Sequence, residues 1–208
     1  MDTVELIKIL LEYKPSDILR KRKEELVELI PEFKACFNFD QKSKWHTYDV
    51  FEHILHVVDN VDNTPVLRIA ALFHDVAKPI VYEEDRFGVG HFPNHWTKSA
   101  EIFSEFAIKN NLDNELIEEV NKLIMFHDLN FGRLTEEEKK AIVEALSEEE
   151  IELLFIFKKA DLLAQSEEYY YLLDDYQKQK DNILSKYERS SNEKYHIWFR
   201  WSNPIRKS

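Results

Sequence analysis

Cysteine is nearly absent: Cys36 is the only one in 208 residues. One thiol can form neither an internal disulfide framework nor a cysteine-rich zinc or iron-sulfur site, so a reducing compartment is the default. Chain breakers are scarce as well. Three glycines and six prolines stand among abundant Glu, Lys, Leu and Ile, so an almost all-α fold is expected. No apolar run approaches the ~18 residues of a membrane span. The start, MDTVELIKILLEYKPSD, is acidic and amphipathic rather than a basic segment followed by an apolar one. No membrane partner and a cytoplasmic location are the expectations. Positive charge is also in deficit, with 28 Lys and Arg against 40 Asp and Glu and a net charge of -12. Such a surface repels long nucleic acid, but a local cation can still capture a small anion.

What is present is a series of capped helical segments. TVELIKILLEY reads as a helix with its N-cap at Thr3, and Ser16 as the cap of a second helix that stops at Pro31. A mixed connector, EFKACFNFDQKSKW, leads to a helix over about Asp49 to Val61. A further helix opens at Pro65 and ends at Pro79, because the residue before proline disfavours the α region. Gly88 and Gly90 make IVYEEDRFGVGHFPN the place for a short β-hairpin near residues 80–94. Helices are expected over Thr97 to Asn110 and Glu115 to His127. Capping boxes at Thr135 and Ser147 follow, the second opening a long helix through IELLFIFKKADLLAQS. The tail YHIWFRWSNPIRKS, with Trp198 and Trp201, carries no secondary-structure assignment.

Charged groups are unexpected in the oiliest segments. In LRIAALFHDVAKP, Leu67 to Pro79, a histidine, an aspartate and a lysine interrupt an apolar helix, where unpaired ionised groups would be costly. Leu67, Ala70, Ala71, His74 and Lys78 share one helix face, with Asp75 at its edge. Arg68, just after Pro65, is expected to be exposed. In DVFEHILHVVDNV, His53 falls on the stripe of Val50, Ile54, Val57 and Val61, whereas His56 faces water beside Glu52, Asp59 and Asn60. The stripe of Leu116, Val120 and Leu123 ends at His127, and Asp161 follows the apolar IELLFIF. Singly, each is more often a hydrogen-bonded core residue than a ligand. Together, inward imidazoles and carboxylates on three helices are hard to satisfy with hydrogen bonds alone, and a divalent cation satisfies them at once.

The order His53, His74-Asp75, Asp161 resembles the H...HD...D signature of the HD-domain superfamily of metal-dependent phosphohydrolases. WHTYDVFEHILHVVD, LRIAALFHDVAKP, NHWTKSAEIF and KKADLLAQS resemble blocks of the HD region of bacterial tRNA nucleotidyltransferases and of related stand-alone HD proteins. The likeness spans roughly residues 30–166 and includes no nucleotidyltransferase head, so it does not support CCA addition. It implies an all-α HD-domain helical bundle, with N-terminal helices over 1–31, an HD core over about 32–166, and a C-terminal helix and tail over 167–208. It further implies that His53, His74, Asp75 and Asp161 ligate one metal. In two-metal members the HD aspartate bridges to a second ion held by two more histidines. His127 matches the later of these, and His95 the earlier, with His91 its competitor. The chain departs from the usual pattern at Ala77, where glycine is common, and at Trp96, where an acidic residue is common. The first change is harmless in a helix; the second alters the pocket wall.

One or two divalent ions, drawn from Mn, Fe, Co, Ni, Mg and Zn, suit such a donor set and would support hydrolysis of a phosphate ester. Lys78, one turn beyond His74, is placed to meet the phosphate, and His46, seven residues before His53 and matching a histidine of the tRNA-enzyme block, to touch the substrate or donate a proton. Asp75 and Lys78 are thus the expected catalytic residues. The expected substrate is a small nucleotide, either a nucleoside monophosphate or a 2',3'-cyclic phosphate. A di-iron HD-fold oxygenase and a non-catalytic metal-binding regulatory domain are the alternatives.

Overall fold

The computed structural model describes residues 1–186. The tail with Trp198 and Trp201 lies outside the described residues. Among those described there are eleven α-helices and one two-stranded sheet, the all-α helical bundle expected. No helix among them is long and apolar enough to cross a membrane.

The N-terminal helices are α1 (Thr3–Leu10), α2 (Pro15–Lys21), α3 (Lys23–Leu29) and the short α4 (Phe33–Cys36). Their boundaries correct the expectation three times. Asp2, not Thr3, caps α1, its side chain accepting from the Glu5 N–H. Ser16 lies inside α2, which starts at Pro15 after a left-handed Lys14. Its cap comes from another helix: Asp59 accepts from the Ser16 N–H at 3.2 Å and from its hydroxyl at 2.6 Å. The single helix expected up to Pro31 is broken at Arg22, whose guanidinium pairs with Glu5 at 2.7 Å and with Glu25.

Five helices surround the core: α5 (Val50–Asn60), α6 (Pro65–Phe73), α7 (His95–Lys109), α8 (Asn114–Phe126) and α10 (Glu148–Leu163). Helix α6 touches α1, α5, α7, α8 and α10, and a helix with neighbours on every side must be apolar all round. Every residue from Leu67 to Phe73 is accordingly buried, including Arg68, whose guanidinium donates to the Val58 carbonyl at 2.5 Å. The exposed position expected for Arg68 is wrong because α6 has no exposed face. His56 is half-buried rather than facing water, with Tyr48 stacked on it at 4.1 Å.

The α6 helix also stops sooner than expected. An α-helical Asp75 carbonyl would need the N–H of residue 79, and Pro79 has none. The carbonyl takes the Lys78 N–H instead, at 3.0 Å, and similar three-residue bonds join Val76 to Phe73 and Ile80 to Ala77. Residues 74–80 are therefore tight turns, and His74, Asp75 and Lys78 do not share one helix face. Ala77 is fully buried there, its N–H donating to Ser99 Oγ at 3.2 Å. Its φ is not positive, so alanine replaces glycine without strain.

The hairpin is present, as β1 (Glu83–Glu84) and β2 (Gly90–His91) paired antiparallel, with Gly88 at φ 78° in the turn. Thr135 and Ser147 form the expected capping boxes on α9 (Glu136–Ala145) and α10. The last described helix, α11 (Leu172–Lys186), lies along α10.

Candidate metal centre

Asp75 sits where the chain leaves α6, and its two carboxylate oxygens face two different groups of imidazoles. Oδ2 lies 3.2 Å from Nε2 of His53 on α5 and 3.2 Å from Nε2 of His74. Asp161 on α10 joins this first group, with Oδ1 at 3.0 Å from His53 Nε2 and 3.8 Å from His74 Nε2. Oδ1 of Asp75 lies 3.2 Å from Nε2 of His95, at the start of α7, and 3.7 Å from Nε2 of His127, just past α8. The side chains are shut away from solvent, Asp75 at 1% exposed and Asp161, the most open, at 15%. The structure thus brings His53, His74, Asp75 and Asp161 together on one side and Asp75, His95 and His127 on the other. His91 does not join them; it is exposed and pairs with Asp85 at 3.0 Å.

Each ligand-type histidine is oriented through its other nitrogen. Nδ1 meets a backbone carbonyl in every case: Ala164 for His53 at 3.2 Å, Ala71 for His74 at 2.8 Å, Phe92 for His95 at 3.0 Å and Ile124 for His127 at 2.7 Å. A carbonyl only accepts, so each Nδ1 carries its proton and each Nε2 faces the centre, the arrangement that orients metal-binding imidazoles. His53 Nε2 is then 3.3 Å from His74 Nε2, and His95 Nε2 is 3.3 Å from His127 Nε2.

The residues fit a metal ion. His53, His74 and Asp75 present ligand atoms all within 4.8 Å of one another, and so do Asp75, His95 and His127. Asp75 Oδ1 and Asp161 Oδ1 are buried and have no aligned hydrogen-bond donor, despite their close approach to imidazole nitrogens. Buried carboxylate oxygens left this way are costly unless a cation meets them. Without one, protons take over part of that task. Burial alone would raise the Asp75 carboxyl, but His74 and Lys78 overcome it and hold the group well below the usual carboxylate range. Burial opposes a charged His53, yet its contacts with Asp161 and Asp75 win and raise it to about 9. His74 goes the other way, lowered chiefly by burial.

Lys78 comes to Asp75 rather than to open solvent. Its Nζ is 2.7 Å from Asp75 Oδ2 and lies over the Phe92 ring at 5.3 Å from the centroid. His46 lies in the connector before α5, half-buried. Its ring packs edge-on against His53 at 5.1 Å, and its Nδ1 is buried with no partner. Burial, then Lys78, push the His46 imidazole well below its ordinary value, so at neutral pH it is a hydrogen-bonding group and not a store of protons. Trp96 is half-buried with its ring against His95 at 5.2 Å.

Two residues near the centre escape sequence reasoning. Gln41, 1% exposed, accepts from Lys78 Nζ at 3.0 Å. Lys158, 4% exposed on α10, donates to the carbonyls of His127 at 2.6 Å and Leu129 at 2.9 Å. The KKAD run placed a cation beside Asp161, but no local pattern marks which lysine turns inward.

The family profile described as HD domain matches residues 45–166. No curated protein matches the chain.

Proposed function

The chain belongs to the HD-domain family, within a superfamily of metal-dependent phosphohydrolases, and from that premise we propose that it hydrolyses the phosphate mono- or diester of a small nucleotide. The observation that carries this reading is the placement of Asp75 between two imidazole groups with Lys78 at its side. His53, His74, Asp75 and Asp161 would hold one divalent ion, and Asp75, His95 and His127 a second. Divalent ions so held supply Lewis acidity toward a phosphoryl oxygen and a more acidic attacking water. His/carboxylate donors accept Mn, Fe, Co, Ni, Mg or Zn.

The protein's own groups do the rest. With both Asp75 oxygens turned to the centre, Lys78 is the cation placed to meet the non-bridging oxygens of the phosphate as charge develops there. Neutral His46, beside His53, offers a hydrogen bond to the ester or its sugar. The buried centre excludes bulk water and favours a substrate with one slender phosphate end, such as a nucleoside monophosphate or a 2',3'-cyclic phosphate. The net charge of -12 opposes long nucleic acid. Lys78 is also what favours phosphate over dioxygen as the reactant, since oxidation at two irons needs no cation aimed at an anion.

The test is metal analysis of the purified protein followed by hydrolysis assays on nucleoside monophosphates, cyclic phosphates and generic esters. Asp75→Ala is expected to lose metal and activity together. Lys78→Ala is expected to keep its metal and lose about 10²- to 10³-fold in rate. A metal-replete wild type that releases no phosphate from any ester, but consumes oxygen when loaded with iron, overturns the proposal in favour of an oxygenase.

A further inference from the structure

Lys78 is held by a residue 37 positions earlier as well as by Asp75. Gln41 lies in an irregular, charge-rich connector, where a glutamine is ordinarily exposed, yet it is 1% exposed. Its amide has one orientation open to it. Nε2 donates to the Tyr48 carbonyl at 3.2 Å, and Oε1 accepts from Lys78 Nζ at 3.0 Å. A carbonyl cannot donate and an ammonium cannot accept, so both partners demand the same end-for-end setting.

The main chain beneath this amide is fixed by the hairpin. The Gly90 N–H donates to the Lys42 carbonyl at 3.0 Å, and the Lys42 N–H to Asp40 Oδ1 at 2.8 Å. A Cβ on Gly90 would collide with the Gln41 carbonyl oxygen and crowd the Tyr82 ring, so only glycine lets the hairpin lie this close.

We infer that Gln41 is the positioning residue for Lys78, holding its ammonium beside the centre when Asp75 is engaged by metal. The inference rests on the phosphohydrolase reading. Asp75 Oδ2, the oxygen that Lys78 approaches, also faces His53 and His74 at 3.2 Å each. A cation in the first group competes with Lys78 for that oxygen and repels the ammonium. The Gln41 carbonyl and the Phe92 ring are then the contacts that remain. Without the amide, a long lysine side chain regains its rotamers, and phosphate must order it again on binding.

The experiment measures binding of inorganic phosphate to the manganese-loaded full chain by calorimetry, with bound metal and melting temperature recorded for each variant. Gln41→Met, similar in size but lacking both the acceptor for Lys78 and the donor to Tyr48, is expected to keep its metal and stay folded with a lowered melting temperature, and to bind phosphate about tenfold more weakly, the scale of one charge-assisted hydrogen bond. Gly90→Ala, which touches no substrate, is expected to weaken binding in the same direction by displacing Gln41. The decisive variant is the pair Lys78→Ala/Gln41→Met. It is expected to bind no more weakly than Lys78→Ala alone, because Gln41 acts through the lysine. Wild-type affinity in Gln41→Met, loss of its metal, or full additivity in the double variant overturns the inference while leaving the phosphohydrolase reading in place. A metal-loaded wild type that binds no phosphate overturns both.

Discussion

At the scale of single residues, the centre is a contest for the lone pairs of Asp75. In the metal-free chain His53 carries the compensating charge: burial opposes it, but Asp161 and Asp75 raise the imidazolium to about 9. Two consequences follow from the sign of that shift. The folded value lies above the ordinary ~6.5, so the stability it contributes to the metal-free fold is fully present below about 6.5 and is lost as pH rises through about 9. Metal binding runs the opposite way, because the Nε2 proton must leave before a cation takes its place. Uptake at pH 7 is therefore expected to release about one proton from His53, and apparent affinity to climb by up to about tenfold per pH unit before levelling near 9. Calorimetry in two buffers of different ionisation heat counts the protons; pH-independent uptake without proton release removes His53 from the ligand set.

At the scale of elements, much of this architecture is legible in the sequence, for identifiable reasons. Helices α5, α8 and α10 each carry a stripe or an apolar run behind a capping residue, Asp49, Asp113 or Ser147. The hairpin announces itself through Gly88 and Gly90. The end of α6 is not legible at the right residue, because the loss of the Pro79 N–H acts backwards on the Asp75 carbonyl and tightens the turn before the proline is reached. That early tightening takes His74, Asp75 and Lys78 out of the regular helix in which periodicity puts His74 and Lys78 on one face and Asp75 at its edge. Gln41 and Lys158 are hidden for another reason: their partners are 37 and 31 residues away, beyond any local pattern. Lys158 ties α10 to the turn after α8 through the His127 and Leu129 carbonyls. Lys158→Met is expected to free two carbonyls at a cost on the order of 1–3 kcal/mol each where they stay buried. It should also loosen His127 more than His53, so bound metal should fall toward one ion while the first group stays filled. Loss of both ions in equal measure, or of neither, contradicts that division.

At the scale of the molecule, the centre is where the helices of the bundle meet. Ligand-type side chains come from α5, the end of α6, the start of α7, the end of α8, and α10, and these elements also contact one another in the core. A cation there would tie together segments separated by more than a hundred residues, as the 111-residue span from His53 to the Ala164 carbonyl already does. The chain's net charge of -12 would add to the effect, since one or two divalent ions held there would offset part of its self-repulsion on folding. Ions that bind the folded state and find no preformed site in the unfolded one would stabilise by mass action, by ~2.7 kcal/mol at a hundred times the dissociation constant. For a chain of this length, ~1 kcal/mol moves the melting temperature by about 2–4 °C. Exhaustive chelation is therefore expected to lower the melting temperature by roughly 5–10 °C, and graded addition of manganese to restore it in a concentration-dependent way. The same titration on Asp75→Ala should show no metal-dependent shift, because both groups lose their shared ligand. An unchanged melting temperature for the wild type across chelator and saturating metal would mean that these helices are held by apolar contact alone, with no ion at their junction.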